Sequence, residues 1–296
     1  MIPQPHRAVF VGLLLLLSGC SRPAPQPERS DEPRLVSTAP NLTECVFAVG
    51  AGDRLVGRTE SCNYPPEVRK IPVVGGFATP YLEPLLAVRP TQVIETVLAD
   101  PDIRRRLDAL NIATVHVPCS RLEEVPEALR QIGALTGHVL QADRLAATLR
   151  AGIADARAQA LPKNRRPRVL LLLAPDTPIT AGSRTFISEM LELAGGRTLD
   201  TDASATYYRF SLEWLLMQNP DIILCLFETP TGQPYTAFEN QTGWDALDAV
   251  RQRRVYVVPN LDVVCRPGPR LLEGLAELKR MLDRDAHEHS PLPKKP

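Results

Sequence analysis

The sequence is short of the imidazoles that metal sites use. Of its five histidines, only His116 and His138 lie inside the predicted fold, because His6 falls in a leader segment and His287 and His289 fall near the carboxyl terminus. Direct capture of zinc or manganese requires several imidazoles or carboxylates that converge on one site. We therefore expect both internal histidines to be structural and no metal ion to be bound directly by the protein.

Catalytic and nucleotide-binding motifs are also missing. The sequence contains no G-x-S-x-G, no G-x-x-x-x-G-K-[ST] and no H-E-x-x-H. Gly50-Ala51-Gly52 follows a predicted helix instead of opening one, so it does not form a nucleotide fingerprint. We expect a protein that is not an enzyme and needs no cofactor.

An excess of charge of one sign is absent as well. The chain has 34 basic and 34 acidic side chains, so its formal net charge is zero, and like charges form no long run. This balance argues against a nucleic-acid partner. Apolar residues make up 44% and charged residues 23% of the 296 residues, which is ordinary for a globular protein with room for two domains.

The one long apolar run lies at the amino terminus. Arg7 precedes the apolar residues 8–17, and the run is too short for a permanent transmembrane helix. Residues 1–20 therefore predict a signal peptide. They end in Leu17-Ser18-Gly19-Cys20, which resembles a bacterial lipobox and so implies cleavage before Cys20 and a lipid on its sulfur. An ordinary secretory signal with an incidental Cys20 is the alternative.

Residues 21–33 predict an extended tether. They contain four prolines and almost no apolar residues, a composition that stays unfolded and reaches up to roughly 40 Å. A chain built this way is held at a membrane surface without being embedded in the membrane.

Removal of the leader leaves an odd number of cysteines. They are Cys45, Cys62, Cys119, Cys225 and Cys265. No C-x-x-C occurs and the spacing fits no zinc site. An exported protein can form disulfides, but at least one of five thiols stays unpaired. We expect Cys45 and Cys225 to be buried in apolar surroundings. If a bridge forms, we expect it between Cys62 and Cys119, because both follow strand-like segments.

A thirteen-residue pattern occurs twice, 130 residues apart. Leu82-Glu83-x-Leu85-Leu86-x-x-x-Pro90-x-x-Val93-Ile94 returns as Leu212-Glu213-x-Leu215-Leu216-x-x-x-Pro220-x-x-Ile223-Leu224. The leucines predict a helix with one apolar stripe, the proline ends it, and the apolar run predicts a buried parallel strand. Glu83 and Glu213 lie off the stripe at the start of their helices. Two copies of so long a period predict a duplicated α/β domain, not a solenoid.

The segments around the motif predict how each lobe begins. In the first lobe a strand at 34–37 precedes a helix that Asn41 or Thr43 could cap, and Gly50 stops it. In the second lobe the matching strand is Val169–Leu173, the helix is Ser183–Leu193, and Gly195-Gly196 is the stop. The sequence therefore predicts two similar Rossmann-like α/β lobes, at residues 34–138 and 162–284, followed by a disordered tail at 285–296.

A single helix is predicted between the lobes. Residues 139–161 contain no proline. One face carries the apolar residues Ala142, Leu145, Ala146, Leu149 and Ile153. A helix of that length spans roughly 34 Å and cannot act as a floppy linker. We expect small opening motions of the two lobes.

These features together resemble a known family. The lipobox, the two lobes, the single helix and the L-E-x-L-L-x-x-x-P motif are similar to ABC-transporter substrate-binding proteins that capture cobalamin, iron-siderophores and haem. Cys62-Asn63-Tyr64-Pro65-Pro66 and Asp262-x-x-x-Arg266-Pro267-Gly268-Pro269-Arg270 strengthen the resemblance, which covers residues 34–284 and is strongest to the cobalamin binders. It implies an exported, lipid-anchored, monomeric protein that binds a metal chelate in a cleft between its lobes.

The resemblance also implies roles for individual residues. Glu83 and Glu213 would dock onto basic residues of a permease dimer that works with an ATPase, although each could simply favour its helix dipole. Tyr64, Phe77 and Tyr207 match aromatic positions of the cleft. Each of these rings could instead be an ordinary packing aromatic.

Two polar residues and the scarcity of tryptophan bear on which ligand is bound. Asp262 and Arg266 match polar positions of the cleft, although Arg266 could instead pair with Asp262 and brace the loop. Only two tryptophans occur, Trp214 and Trp244, both in predicted helices of the second lobe. Their scarcity in the cleft weakens cobalamin as the ligand and favours a siderophore or haem, for which tyrosine is a common iron ligand. A tethered envelope sensor that uses the same fold is the alternative function.

Overall fold

The computed structural model describes residues 32–174, 177–199, 206–229, 238 and 241–288. The predicted signal peptide, Cys20 and most of the predicted tether lie outside these residues. Residues 33–296 group into one unit. Among the described residues, no helix combines the length and the apolar character that crossing a bilayer requires.

Lobe one is a parallel sheet flanked by helices. Its strands are β1 (Leu35–Ser37), β2 (Leu55–Gly57), β5 (Gln92–Glu95) and β6 (Ala113–His116), and the short strands β3 (Gly75–Gly76) and β4 (Thr79–Pro80) form a separate hairpin. Its helices are α1 (Pro40–Ala48), α2 (Leu82–Ala87), α3 (Pro101–Ala109) and α4 (Glu124–Thr136). The strand order β2-β1-β5-β6, with parallel pairing throughout, confirms the predicted alternation of strands and helices.

Lobe two repeats this layout and adds an antiparallel edge. Its strands are β7 (Arg168–Leu172), β8 (Ile179–Ala181), β9 (Arg197–Thr198), β10 (Tyr207–Arg209), β11 (Ile222–Cys225) and β12 (Val255–Val257). Its helices are α6 (Phe186–Ala194), α7 (Leu212–Gln218), α8 (Asp248–Arg251), α9 (Leu261–Cys265) and α10 (Leu271–Glu288). The strands β9, β11 and β12 run parallel to β7, whereas β8 pairs antiparallel with β7 and β10 pairs antiparallel with β8.

The connecting helix α5 (Val139–Gln159) begins at the predicted residue and ends two residues before the predicted boundary. Its predicted inner face is confirmed, because Ala142, Ala146, Leu149 and Ile153 are buried. One continuous apolar cluster runs from α1 and α4 across α5 to α6 and α10. Because the lobes share this core, a large rotation of one lobe against the other would expose apolar surface.

Helices at matching places in the two lobes end in the same way. After α1 and α6, Gly50 and Gly195 adopt left-handed φ values of 92° and 104°. In both cases the glycine N–H donates to the carbonyl three residues back, and the next N–H donates to the carbonyl five residues back. This is the Schellman arrangement, in which glycine tolerates the left-handed turn. The predicted glycine stops are therefore confirmed.

Two further pairs of residues show the duplication in the backbone. Asn111 and Arg253 follow α3 and α8 with φ values of 58° and 57°, and they repeat the same pair of hydrogen bonds. Arg89 and Asn219 each precede the motif proline with φ values of 47° and 39°. Left-handed residues other than glycine are uncommon, so their recurrence at matching positions supports a common ancestral lobe.

Several predicted helix boundaries are wrong. Neither Asn41 nor Thr43 caps α1; Ala39 occupies the cap position, and the Asn41 amide donates instead to the carbonyl of Pro267 at 3.1 Å. Helix α6 starts at Phe186 because the hydroxyl of Thr185 caps it. Trp244 lies in a turn rather than a helix, where its ring stacks on Phe238 with centroids 4.4 Å apart.

The predicted start of the tail at residue 285 is also wrong. Helix α10 continues to Glu288, and the side chain of Asp285 is only 3% exposed. Its carboxylate accepts hydrogen bonds from Arg254, at 2.9 and 2.6 Å, and from the hydroxyl of Tyr256 at 2.8 Å. These bonds hold the last turns of the helix against lobe two. Residues 289–296 lie outside the described residues.

Candidate functional site

Residues from both lobes line a cavity of about 600 Å³. Phe77, in the β3–β4 hairpin of lobe one, and Tyr207, at the start of β10 in lobe two, both contribute to its wall. Their side chains are 52% and 53% exposed. Aromatic surface left open on the two walls of one cavity is available to a broad ligand. The structure thus brings together two of the sequence-predicted contacts.

The polar groups of this cavity are mostly neutral. Burial raises the pKa of the Tyr207 phenol, and the neighbouring Cys265 raises it further. Desolvation, followed by the effect of Asp262, raises the pKa of the Cys265 thiol to about 11. Burial raises the pKa of Cys119 to about 12. At neutral pH these three groups are therefore protonated and uncharged.

A second cavity of about 590 Å³ adjoins the same helix α9. Its lining includes Asn63 of lobe one together with Phe227, Glu228, Leu261 and Asp262 of lobe two. Helix α9 contributes Asp262 to this cavity and Cys265 to the other one. Both cavities therefore receive residues from the two lobes and share α9, and together they are called the cleft.

A buried ionic network ties the lobes together beside the cleft. Glu44 lies on α1, and its side chain is only 1% exposed. Its carboxylate pairs with both Arg266 and Arg270 of lobe two. Arg266 donates to Glu44 at 3.0 Å and to the side-chain oxygen of Asn63 at 2.7 Å. Asp262 completes the network through Arg266 at 2.7 Å. Buried carboxylates are stable when guanidinium groups satisfy them in this way.

This network places three predicted contact residues away from the first cavity. Arg266 and Asp262 are bound to each other and to lobe one, as the bracing alternative predicts. Tyr64 does not line that cavity; its ring faces the guanidinium of Arg270 with 4.0 Å between the centroid and Cζ. Of these residues, only Asp262 lines either of the two cleft cavities. Ligand contact by Tyr64, Asp262 and Arg266 stays a prediction.

The two motif glutamates occupy equivalent exposed positions. Glu83 is the second residue of α2 and Glu213 is the second residue of α7. Both carboxylates lie on exposed residues, while Leu85 and Leu215 behind them are fully buried. Bonding to its own backbone N–H, and then to the side chain of Ser211, lowers the pKa of Glu213. Both groups are therefore available to an external cationic partner.

The expected Cys62–Cys119 disulfide is wrong. All five cysteines of the described fold are free thiols. The sulfur of Cys62 lies 3.1 Å from the hydroxyls of both Thr43 and Thr59. The thiol of Cys119 points elsewhere and donates to the carbonyl of Pro267 at 2.9 Å. Cys45 and Cys225 are completely buried in the apolar cores, as predicted.

The histidines form no metal centre with acidic or cysteine side chains among the described residues. No group of three or more histidine, cysteine, aspartate or glutamate side chains converges there. His116 contacts Glu95 at 3.1 Å, and His138 contacts the carbonyl of Thr136 at 2.9 Å. Both contacts lie outside the cleft.

A larger cavity, of about 830 Å³, lies between α5 and α10. Its lining comes from the connecting helix and lobe two, and two of its arginines are bound within the protein. Arg254 pairs with Asp285, and Arg166 donates to the carbonyls of Leu161 and Glu192. The cleft is the better ligand site because both lobes contribute to it and its aromatic rings remain open.

The sequence reasoning missed three residues of this region. Glu44 and Arg270 form the centre of the ionic network, and Arg184 lines the first cavity. Arg270 belongs to a segment that strengthens the family resemblance, but no role for this residue follows from the sequence. The position of Glu44 as the single charged residue of helix α1 was the one available signal for it. Nothing in its local sequence distinguishes Arg184.

Comparison with known proteins gives consistent results. Residues 35–261 match a family described as periplasmic binding proteins. An uncharacterized ABC transporter substrate-binding lipoprotein of Bacillus subtilis, YvrC, is 28% identical over 94% of this chain and 97% of its own length. A vitamin B12-binding protein of Pectobacterium carotovorum is 28% identical over 81% of this chain and 84% of its own.

This chain is also similar to a solved structure. The periplasmic haem-binding protein RhuT from Roseiflexus, in its apo form, superposes with a TM-score of 0.75 at 27% identity. The superposition covers 86% of this chain and 99% of RhuT.

Proposed function

The chain belongs to the periplasmic binding protein family, and we propose that it captures a metal chelate and delivers it to an ABC permease. Members of this family are transport components rather than enzymes, so the cleft is a binding site without chemistry of its own. The chelates that its relatives' names mention are vitamin B12 and haem. We include ferric siderophores because they are likewise bulky organic chelates of a metal ion.

One observation supports this function most directly. The cavity of about 600 Å³ is lined by an open aromatic ring from each lobe, Phe77 and Tyr207. A ligand held between these rings would lose apolar surface to both lobes at once. The shared apolar core favours a preformed cleft with small opening motions, which lowers the cost of ordering the site on binding.

Delivery is the second part of the proposal. Glu83 and Glu213 present one exposed carboxylate from each lobe at matching motif positions. A permease dimer with one arginine-rich pocket in each subunit would be complementary to this pair. Lipidation of Cys20 would keep the protein near that permease at the bacterial envelope, as a monomer on a flexible tether. A change of Cys20 to serine should release the protein from membranes, and an unchanged distribution would contradict anchoring.

Ligand capture is tested with the purified protein. Haemin, cyanocobalamin and ferric siderophores of the hydroxamate, catecholate and carboxylate types are titrated against intrinsic fluorescence and against the melting temperature. At least one class should bind with a dissociation constant in the micromolar range or below and should raise the melting temperature. The absence of any response across the panel would exclude the proposed function.

A further inference from the structure

Among the described residues that line the first cleft cavity, one carries a formal charge. Fourteen described residues line it, and among them only Arg184 is charged at neutral pH. No carboxylate stands in that lining, and its two cysteine thiols and the Tyr207 phenol, whose pKa values are raised, are protonated and uncharged at neutral pH. The described part of the cavity wall therefore carries a net positive charge, although the chain as a whole has a formal net charge of zero.

Arg184 is not used to hold the fold together. It is exposed in the turn between β8 and α6, and no hydrogen bond or ion pair joins it to the described part of the chain. Other arginines near the cleft differ in this respect. Arg266 and Arg270 are bound to Glu44, and Arg121 pairs with Glu189. An uncompensated guanidinium at a concave surface concentrates anions there.

The apolar residues of the cavity wall indicate the shape and polarity of the rest of the ligand. Phe77 and Val97 face the cavity from lobe one, and Phe186, Tyr207 and Leu226 face it from lobe two. Such surfaces accept a broad apolar face, while a guanidinium binds a carboxylate through two parallel hydrogen bonds. A ligand that satisfies both requirements has an apolar body and a carboxylate at its edge.

We propose that Arg184 recognises a carboxylate on the captured chelate, so that the cleft selects carboxylate-bearing metal chelates over cobalamin. This inference rests on the proposed function and specifies its ligand class. The edge of the corrin ring carries neutral amides, which accept hydrogen bonds from a guanidinium but supply no counter-charge for it. A haem-type tetrapyrrole and a carboxylate siderophore share the required chemistry, and separate titrations distinguish these two sources.

The test varies the carboxylate on the ligand and the cation on the protein independently. Haemin is compared with haemin dimethyl ester, which keeps the ring and iron but lacks free carboxylates, and a ferric carboxylate siderophore and cyanocobalamin are titrated in parallel. Each ligand is measured against the unmodified chain, Arg184→Gln, Arg184→Lys and the control Arg106→Gln. Arg106 is an exposed arginine of α3 that is absent from the lining of the cavity.

The expected result is a loss of affinity that requires both the carboxylate on the ligand and the guanidinium of Arg184. The unmodified chain should bind haemin or the carboxylate siderophore roughly 10-fold to 100-fold more tightly than Arg184→Gln does. Arg184→Lys should lie between them, and Arg106→Gln should match the unmodified chain. If haemin is the ligand, its ester should bind the unmodified chain and Arg184→Gln equally.

Other outcomes separate the two claims. Tight binding of cyanocobalamin alone, or equal affinity for haemin and its ester, would overturn the role of Arg184 and leave chelate capture standing. An equal loss for every ligand with Arg184→Gln would also overturn it, because the residue would then act on the fold. No binding by any probe would overturn both the proposed function and this inference.

Discussion

The carboxylate of Glu44, in lobe one, accepts two hydrogen bonds from the guanidinium of Arg270, in lobe two. Nε of Arg270 lies 2.8 Å from Oε2 and Nη2 lies 2.7 Å from Oε1. The same guanidinium covers the ring of Tyr64, and Arg266 approaches the same carboxylate. One buried acid therefore fixes two cations and an aromatic ring at the junction of the lobes, and this geometry leads to the first prediction.

Replacing Glu44 should be costly. Glu44→Gln leaves the largely buried cations Arg266 and Arg270 without their counter-charge, and breaking a buried pair in this way costs about 3–5 kcal/mol of unfolding free energy. Urea denaturation measures the loss. The control is Glu127→Gln, whose carboxylate is 65% exposed and pairs with Arg150 at 2.8 Å; it should cost about 1 kcal/mol at most. Equal losses in the two variants would contradict the assignment.

The end of α10 should contribute to stability in the same manner. Asp285→Ala removes the partner of Arg254 and of the Tyr256 hydroxyl, and we expect a loss of about 3 kcal/mol or more. Asp283→Ala, at an exposed position of the same helix, is the matched control and should be nearly neutral. Thermal unfolding compares the two. A silent Asp285→Ala would restore the earlier expectation of an unstructured tail from residue 285.

The two open rings should carry ligand affinity. Phe77→Ala and Tyr207→Ala should each weaken binding of the chelate roughly tenfold, because each removes an aromatic wall of the cavity. Tyr207→Phe separates the contribution of the ring from that of the hydroxyl. Leu140→Ala changes a residue that is 77% exposed on α5 and should leave affinity unchanged. Isothermal titration gives the constants, and unaltered binding in both alanine variants would place the ligand elsewhere.

The paired glutamates should act in delivery and not in capture. A Glu83→Ala, Glu213→Ala double variant should abolish cellular uptake of the chelate while the purified protein keeps its affinity. The corresponding double change at Glu123 and Glu127, two exposed glutamates near the start of α4, is the control and should leave uptake intact. Normal uptake in the first variant would contradict the docking role of Glu83 and Glu213.

The thiols give a prediction that depends on pH. Cys265 is the exposed cysteine of the described fold, and its pKa of about 11 keeps it mostly protonated at pH 7. Because the thiolate is the reactive form, labelling by iodoacetamide should speed up roughly tenfold for each pH unit from 7 to 9. Mass spectrometry should find the first adduct at Cys265, and Cys265→Ser should remove it. A Cys62–Cys119 linked peptide without reductant would contradict the free thiols.

Local patterns were sufficient for most of the architecture. The spacing of leucines, the motif prolines and the paired glycines predicted α2, α7, α5 and the helix stops, because backbone periodicity and left-handed turns depend on neighbouring residues. Predicted helix boundaries were wrong where a side chain bonds to a residue distant in the sequence. Asn41 donates to the carbonyl of Pro267 instead of capping α1, and Asp285 holds α10 to β12.

The candidate site was predictable only in part. Phe77 and Tyr207 could be found because each stands six residues before a motif glutamate, so the duplication itself indicated them. Whether a polar residue meets a ligand or another residue depends on pairings that no local pattern encodes. Asp262 and Arg266 therefore matched the family pattern, yet they are bound into the network around Glu44.

The sequence by itself determined two duplicated α/β lobes, one connecting helix and a glutamate at the same helix start in each lobe, since these follow from periodicity and repetition. The tertiary structure alone decided which charges are used internally and which remain open. Glu44 meets Arg270 across 226 positions of the chain, whereas Arg184 reaches the cleft with no partner in the described residues. Electrostatic pairing acts through space, so only the folded chain determines it.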